Sequence, residues 1–432
     1  MQENHSHSPI ESARAVRAWC MYDWAISAFQ TTIVGAILPI YFRQIACFSL
    51  PEKHMATSLW GIISAIAMAG VAVLSILLGP VSDHSGLKKH FLGGFTAIGV
   101  LFTFGFALTK PGHWLPLAAI FIIASIAAAG SEVFYDALLP HVAARNHLDR
   151  VSTRGYAMGY LGGGLLLVIN VLMINLLPNS EIAPDLTVPL LGMRLSFISV
   201  GFWWAVFAIP LFIHVHESRG VRPGWPGKAA LVIAVTRLKA TFHDIRKYRE
   251  AFTLLIAFWF YSDGIGTVIK MATAYGDEIG IGTNDLIGAF ILVQFIGIPC
   301  TFLFGRLSKW IGVKKSILIG LSFYLAISIG GFFMKNALHF WILAGFVGLV
   351  QGGTQALSRS FYARLIPLEK SAEFFSFFTI SGKFAGIMGP VLFALTSQFF
   401  RNSRYGILSL IGFFLIGGYL LIKVPDKSGE PS

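Results

Sequence analysis

Charge is what this sequence has least of. Only 12% of its 432 residues are Asp, Glu, Lys or Arg, and 55% are hydrophobic, against about 25% charged in an ordinary soluble domain. A soluble core of this length alternates apolar and polar faces. Here whole windows of about twenty residues carry no charge, the length a helix needs to cross a hydrocarbon layer. Cysteine is scarce as well: Cys20, Cys47 and Cys300 show no CxxC spacing, which argues against a disulfide framework and a metal site. G-x-S-x-G, H-E-x-x-H, Walker A and dinucleotide fingerprints are all missing, so neither a catalytic centre, nor a cofactor, nor ATP-driven work has support. The expectation is a membrane-embedded chain that is not an enzyme.

Apolar runs between short polar loops predict twelve helices: 17–46, 57–82, 89–108, 114–139, 153–177, 190–214, 252–274, 284–308, 315–334, 338–365, 371–399 and 404–424. The first run lacks an A-x-A cleavage pattern and reads as a retained helix. The implied organisation is a cytoplasmic tail (1–16), a six-helix bundle (17–214), a cytoplasmic linker (215–251), a second six-helix bundle (252–424) and a short tail (425–432). In the linker, Leu231, Val235, Leu238, Phe242 and Ile245 recur at spacings of three and four. That pattern predicts an amphipathic helix lying on the membrane surface.

Orientation follows from the basic residues. With both termini cytoplasmic, and span ends counted with the side they adjoin, the 33 Lys and Arg divide into 24 on the cytoplasmic side, 7 on the outer side, and Lys270 and Lys383 deeper inside spans. The positive-inside rule selects that orientation, in a bacterial inner membrane. The formal charge of +12 is this same bias and no nucleic-acid site, since no basic domain stands outside the spans.

Internal repetition carries the architecture. Gly79, Ser82, Gly86, Lys88 and Lys89 recur as Gly305, Ser308, Gly312, Lys314 and Lys315, both as G-x-x-S-x-x-x-G-x-K-K. Phe134-Tyr135 with Leu138 and Pro140 recurs as Phe361-Tyr362 with Leu365 and Pro367, and Gly159 and Gly163 as Gly382 and Gly386. Because six is even, the two halves enter the membrane in the same direction. They form parallel repeats, an arrangement in which the substrate route runs between the halves.

Polar groups inside spans are the candidate site. Asp23, Ser27 and Gln30 follow one another at i, i+4 and i+7, as do Asp263, Thr267 and Lys270. Such a stripe cannot face lipid cheaply, so each should face a cavity or a partner helix. Glu132 and Arg359 stand at equivalent positions of the two halves, Lys383 lies in the eleventh span, and Asp136 near a cytoplasmic end. Glu132 and Asp263 are the leading candidates to carry a coupling proton, and Lys383 to anchor a substrate anion. Asp83 with Lys88, Lys89, Lys314 and Lys315 reads as gating machinery, because an acid at a helix-end turn can hold an opposing helix terminus.

The loop 79–89 resembles the cytoplasmic loop motif of the major facilitator superfamily. Tyr22-Asp23-Trp24-Ala25, Arg154-Gly155, the run Gly159 to Gly164, Gln351 to Ser360 and Ser381-Gly382-Lys383-Phe384 resemble its vacuole-effluxer branch, the autophagy-related amino-acid exporters and their bacterial relatives. The resemblance spans about Arg14 to Pro425 and brings Gln355 and Arg359 into the candidate site. It implies an all-α major facilitator fold and a secondary transporter exporting amino acids. The expected partners are a small-molecule substrate, a proton or other coupling ion and the lipid bilayer, with the chain a monomer. A zwitterion needs both an acid and a base in the cavity, and both are present. A lipid or lysolipid flippase of the same fold and a non-transporting nutrient sensor are the alternatives.

Overall fold

The structure, a computed structural model, describes residues 12–49, 53–184, 186–217, 245–279, 281–384, 386, 388–400 and 402–425, with linker residues 232, 235, 236, 239 and 240. The side chains of Lys270 and Lys383 lie outside the described residues. Nearly everything is helical, because a segment in lipid must satisfy its own backbone hydrogen bonds and a helix does so internally. In chain order the long helices are α1 (Ala13–Ala28), α2 (Lys53–Ser85), α3 (Lys88–Ala107), α4 (Trp114–Ala137), α5 (Leu148–Leu176) and α6 (Leu190–His214). There follow α7 (Arg249–Glu278), α8 (Thr283–Ile311), α9 (Val313–Phe332) and α10 (Ala337–Leu365), then α11 (Ser371–Phe384), α12 (Met388–Phe400), α13 (Ser403–Ser409) and α14 (Ile411–Lys423).

Among the described residues, ten helical segments are long and apolar enough to cross a membrane. Helix α2 and the pair α11–α12 occupy the places where the sequence predicts the second and eleventh spans. Three departures from regular helices matter. Helix α1 continues through a π-helical stretch (Phe29–Ile37), a turn of α-helix (Leu38–Tyr41) and a second π-helical turn (Phe42–Ala46). The eleventh span is carried by two helices, one ending at Phe384 and the next beginning at Met388, with Gly386 in a turn. A small antiparallel hairpin, β1 (Ser180–Ala183) with β2 (Leu186–Val188), joins α5 to α6, Ser180 opposite Val188.

The chain forms two compact units. One holds Pro9–Val142 and Met158–Ala234. The other holds Ala143–Ala157 and Val235–Ser432. The division follows contacts more than chain order, since the first turns of α5 belong with the C-terminal helices.

Within each unit helices close on glycines, which let backbones approach where lipid supplies no hydrophobic drive. In the first, the Trp204 ring of α6 fills the space over Gly99 of α3. A Cβ on Gly162 of α5 would sit 2.6 Å from the Trp24 carbonyl oxygen. In the second, Phe304 of α8 covers Gly353 of α10, and a Cβ on Gly417 of α14 would sit 3.0 Å from the Tyr261 nitrogen. The outward faces are apolar: Leu101, Phe202 and Leu303 are 66%, 59% and 60% exposed. That is costly in water and costs nothing against acyl chains. Of the predicted linker stripe, Val235 is exposed on a helical residue, whereas Leu231, Leu238 and Phe242 lie outside the described residues.

Candidate functional site

In the first unit the stripe on α1 meets a partner helix. Asp23 is buried, and its Oδ2 accepts a 2.8 Å hydrogen bond from the Tyr135 hydroxyl of α4. Seven residues on, the Gln30 amide donates to Glu132 Oε1 at 2.7 Å. Glu132 and Tyr135 are three apart on α4, so they share its face as Asp23 and Gln30 share theirs. Aromatic packing holds this face. The Trp19 ring stacks on Tyr135 with centroids 4.4 Å apart, and its indole N–H donates to the Tyr135 carbonyl at 3.0 Å.

Ser27 looks elsewhere, toward α5, where a Cβ on Gly159 would come within 2.5 Å of its Oγ. The helix changes to π geometry at Phe29, so Gln30, Thr31 and Thr32 are spread over a wider turn than α-helical spacing implies. Thr31 Oγ1 donates to the Ser27 carbonyl at 2.9 Å, while Thr32 Oγ1 receives the Asn170 amide at 3.3 Å. Asn170 in turn accepts from Ser199 at 2.8 Å. Sequence reasoning missed Tyr135 as a partner and Asn170 altogether. Tyr135 was findable from its spacing to Glu132, and Asn170 as an amide within an apolar run.

The second unit uses its acid differently. Asp263 of α7, 1% exposed, accepts the backbone N–H of Gly389 at 3.0 Å through Oδ1. Thr267, one turn on, turns its hydroxyl back to the Asp263 carbonyl at 2.7 Å. Arg359 of α10 is buried, donating from Nε to Ser152 Oγ at 2.9 Å and from a terminal nitrogen to the Ser152 carbonyl at 3.0 Å. Its guanidinium lies 4.3 Å from the Tyr156 ring centroid, a cation–π geometry. Below it, Asp149 accepts from Ser360 at 2.6 Å and pairs with Arg364. Gln355 stands half-buried one turn before Arg359. Glu132 and Arg359, matched by the repeat, thus carry different partners in their separate units. Asp149, Ser152 and Arg364 escaped the sequence reading because helix-end charges there resemble ordinary cytoplasmic ones.

The repeated loops fold alike up to a point. Ser82 and Ser308 donate to the Gly79 and Gly305 carbonyls at 2.8 and 3.1 Å, and Gly86 and Gly312 both take positive φ, 65° and 88°. These left-handed turns are where only glycine fits without strain. Beyond them the halves differ by one residue, since α3 begins at Lys88, two after its glycine, and α9 at Val313, one after. Lys88 pairs with Asp83 at 2.8 Å, both side chains buried. Lys89 donates to the carbonyls of Phe212 and Val215 at 2.9 and 2.6 Å, closing the C-terminus of α6. Its counterpart is Lys314, which reaches the carbonyls of Ile422 and Val424 at the end of α14. Lys315 is exposed. The α3 N-terminus is met by Glu217, whose two oxygens accept from the Lys88 and Lys89 N–H groups at 2.8 and 3.0 Å. Anions belong at helix N-termini and cations at C-termini, so each contact opposes a macrodipole.

Comparison with known proteins bears on this arrangement. Residues 11–431 match the family model described as vacuole effluxer Atg22 like. The chain is 36% identical over 412 residues to the uncharacterized MFS-type transporter YxiO of Bacillus subtilis, covering 95% of each chain. It is 23% identical over 510 residues to autophagy-related protein 22 of Saccharomyces cerevisiae, covering 98% of this chain and 93% of that one. In fold it is similar to the human organic anion transporter MFSD10, with a TM-score of 0.72 at 14% identity over 94% of this chain and 99% of that one. Two six-helix sequence repeats, acids and bases within spans, and a family match along almost the whole length converge: the chain belongs to the Atg22-like vacuole effluxer family, a branch of the multi-pass major facilitator transporters, which are not enzymes.

Proposed function

We propose that this transporter exports amino acids or similar small zwitterions in exchange for protons, by alternating access across a bacterial inner membrane with both termini in the cytoplasm. The observation that carries the proposal is Glu132, a half-buried carboxylate in the α4 span that accepts a hydrogen bond from the Gln30 amide. An acid at that depth is costly unless it is used, and alternation between neutral and charged forms is a use. Lys383 is the proposed anchor for the substrate carboxylate, and Gln355 its neighbour in recognition. Asp83 and its basic neighbours serve the inner gate, and the functional unit is a monomer. The resemblance of Tyr22-Asp23-Trp24 and of Gln351 to Ser360 to the amino-acid exporters supports the substrate class.

The test is counterflow in proteoliposomes against amino acids, peptides, sugars and lysolipids, with and without a pH gradient. Amino acids should exchange, and an imposed gradient should concentrate them. Glu132→Gln should abolish gradient-driven accumulation and leave exchange at equal pH. Movement of lysolipids alone would replace this reading with that of a flippase.

A further inference from the structure

Asp23 and Asp263 look like twins in sequence, each heading a polar stripe. Their contacts separate them. Asp23 accepts from a side-chain hydroxyl on α4, whereas Asp263 accepts from a backbone N–H near the start of α12. Gly389 is the second residue of α12, and the first four N–H groups of any helix lack a partner within it. A carboxylate placed there satisfies one of them and opposes the positive end of the helix dipole.

The fit is close. A Cβ on Gly389 would overlap Thr267 Oγ1 and lie 2.8 Å from Asp263 Oδ1. The Thr267 hydroxyl points back along its own helix, leaving the Gly389 N–H to the acid. Meanwhile α11 ends at Phe384, directly after Lys383, and α12 opens at Met388. The groups with charge nearest in chain position are Lys270, seven residues on along α7, and Lys383 on α11.

We propose that Asp263 is a positioning residue, the anchor that seats the second half of the broken eleventh span on α7, and that coupling protons are carried elsewhere. By holding the start of α12 it fixes the second helix beyond the turn at Gly386, three residues after Lys383. Its influence on transport therefore runs through substrate affinity and not through proton stoichiometry. This last clause rests on the transport reading above; the anchoring itself does not.

Asparagine and alanine separate the two roles, because Asn keeps the acceptor oxygen without the charge. Amide hydrogen exchange of full-length protein in nanodiscs would be followed over 386–394 in Asp263→Asn, Asp263→Ala and Gly389→Ala. Uptake of L-alanine into proteoliposomes would be measured alongside, with and without a pH gradient. Asp263→Asn should keep wild-type protection and gradient-driven uptake within about twofold. Asp263→Ala and Gly389→Ala should each speed exchange at the start of α12 on the order of tenfold, as loss of a cap does, and raise the KM. Should Asp263→Ala not fold, Asp263→Asn and Gly389→Ala decide the matter. Loss of protection in Asp263→Asn, or wild-type protection in Gly389→Ala, would overturn the anchor. Gradient-driven uptake lost in Asp263→Asn while equal-pH exchange persists would make it a coupling acid instead. If L-alanine is not carried even by the wild type, the transport reading fails and the exchange measurements still judge the anchor.

Discussion

At the scale of single residues, an ionised group inside a span matters through its partner. Asp83 and Lys88 are both buried and 2.8 Å apart, so neither can be neutralised quietly. Removing one charge leaves the other buried without compensation, at a cost of about 3 kcal/mol or more. Asp83→Asn should therefore lower thermal stability in detergent as well as impair turnover, and Lys88→Met added to it should recover the stability. Should the double variant also regain wild-type turnover, the pair would be structural and no gate. Asp23, held by Tyr135, and Glu132, held by Gln30, respond differently because these donors are neutral and leave no buried countercharge behind when the acid is neutralised. Asp23→Asn is expected to fold and to shift affinity by a few-fold, read as the KM of exchange.

Helix ends show how far a sequence can be read and where reading stops. The pairing of the two G-x-x-S-x-x-x-G-x-K-K loops was legible because glycine at a left-handed turn is nearly obligatory. The roles of the lysines were not, because Leu87 delays α3 by one residue and moves the capping duty from the first lysine, as in Lys314, to the second, Lys89. Lys89→Ala and Lys314→Ala should each loosen a helix C-terminus by up to about 1 kcal/mol, seen as faster amide exchange at the ends of α6 and α14. Lys315→Ala should change neither, although sequence alignment pairs it with Lys89. Similarly, the stripe of Asp23, Ser27 and Gln30 was legible as a helix face, while its division between α4 and α5 was not. The division depends on a π-helical stretch and on partners more than 100 residues away. Glycines of the eleventh span read equally well as packing sites; that one of them faces an acid at a helix break is a fact of tertiary structure.

For the whole molecule the membrane dictates most of what composition can reveal. Span count and the repeat followed from long apolar runs, since lipid tolerates few alternatives to a helix. Orientation rests on the bias of Lys and Arg alone, so it needs its own test. The background is favourable to cysteine labelling. Cys20 and Cys47 are buried and Cys300 partly so. Burial also pushes the Cys47 thiol, just beyond the first span, up to about 11. A maleimide reacts with thiolate, so Cys47 should stay silent near pH 7 and respond only as the pH climbs toward that value. Against that background, Glu181→Cys, exposed on β1, should label in intact cells with an impermeant maleimide. Lys228→Cys, in the linker, should label only after the membrane is opened. Labelling of Lys228→Cys in intact cells with protection of Glu181→Cys would invert the topology. It would also move the Asp83–Lys88 pair to the outer side, where an inner gate has no meaning.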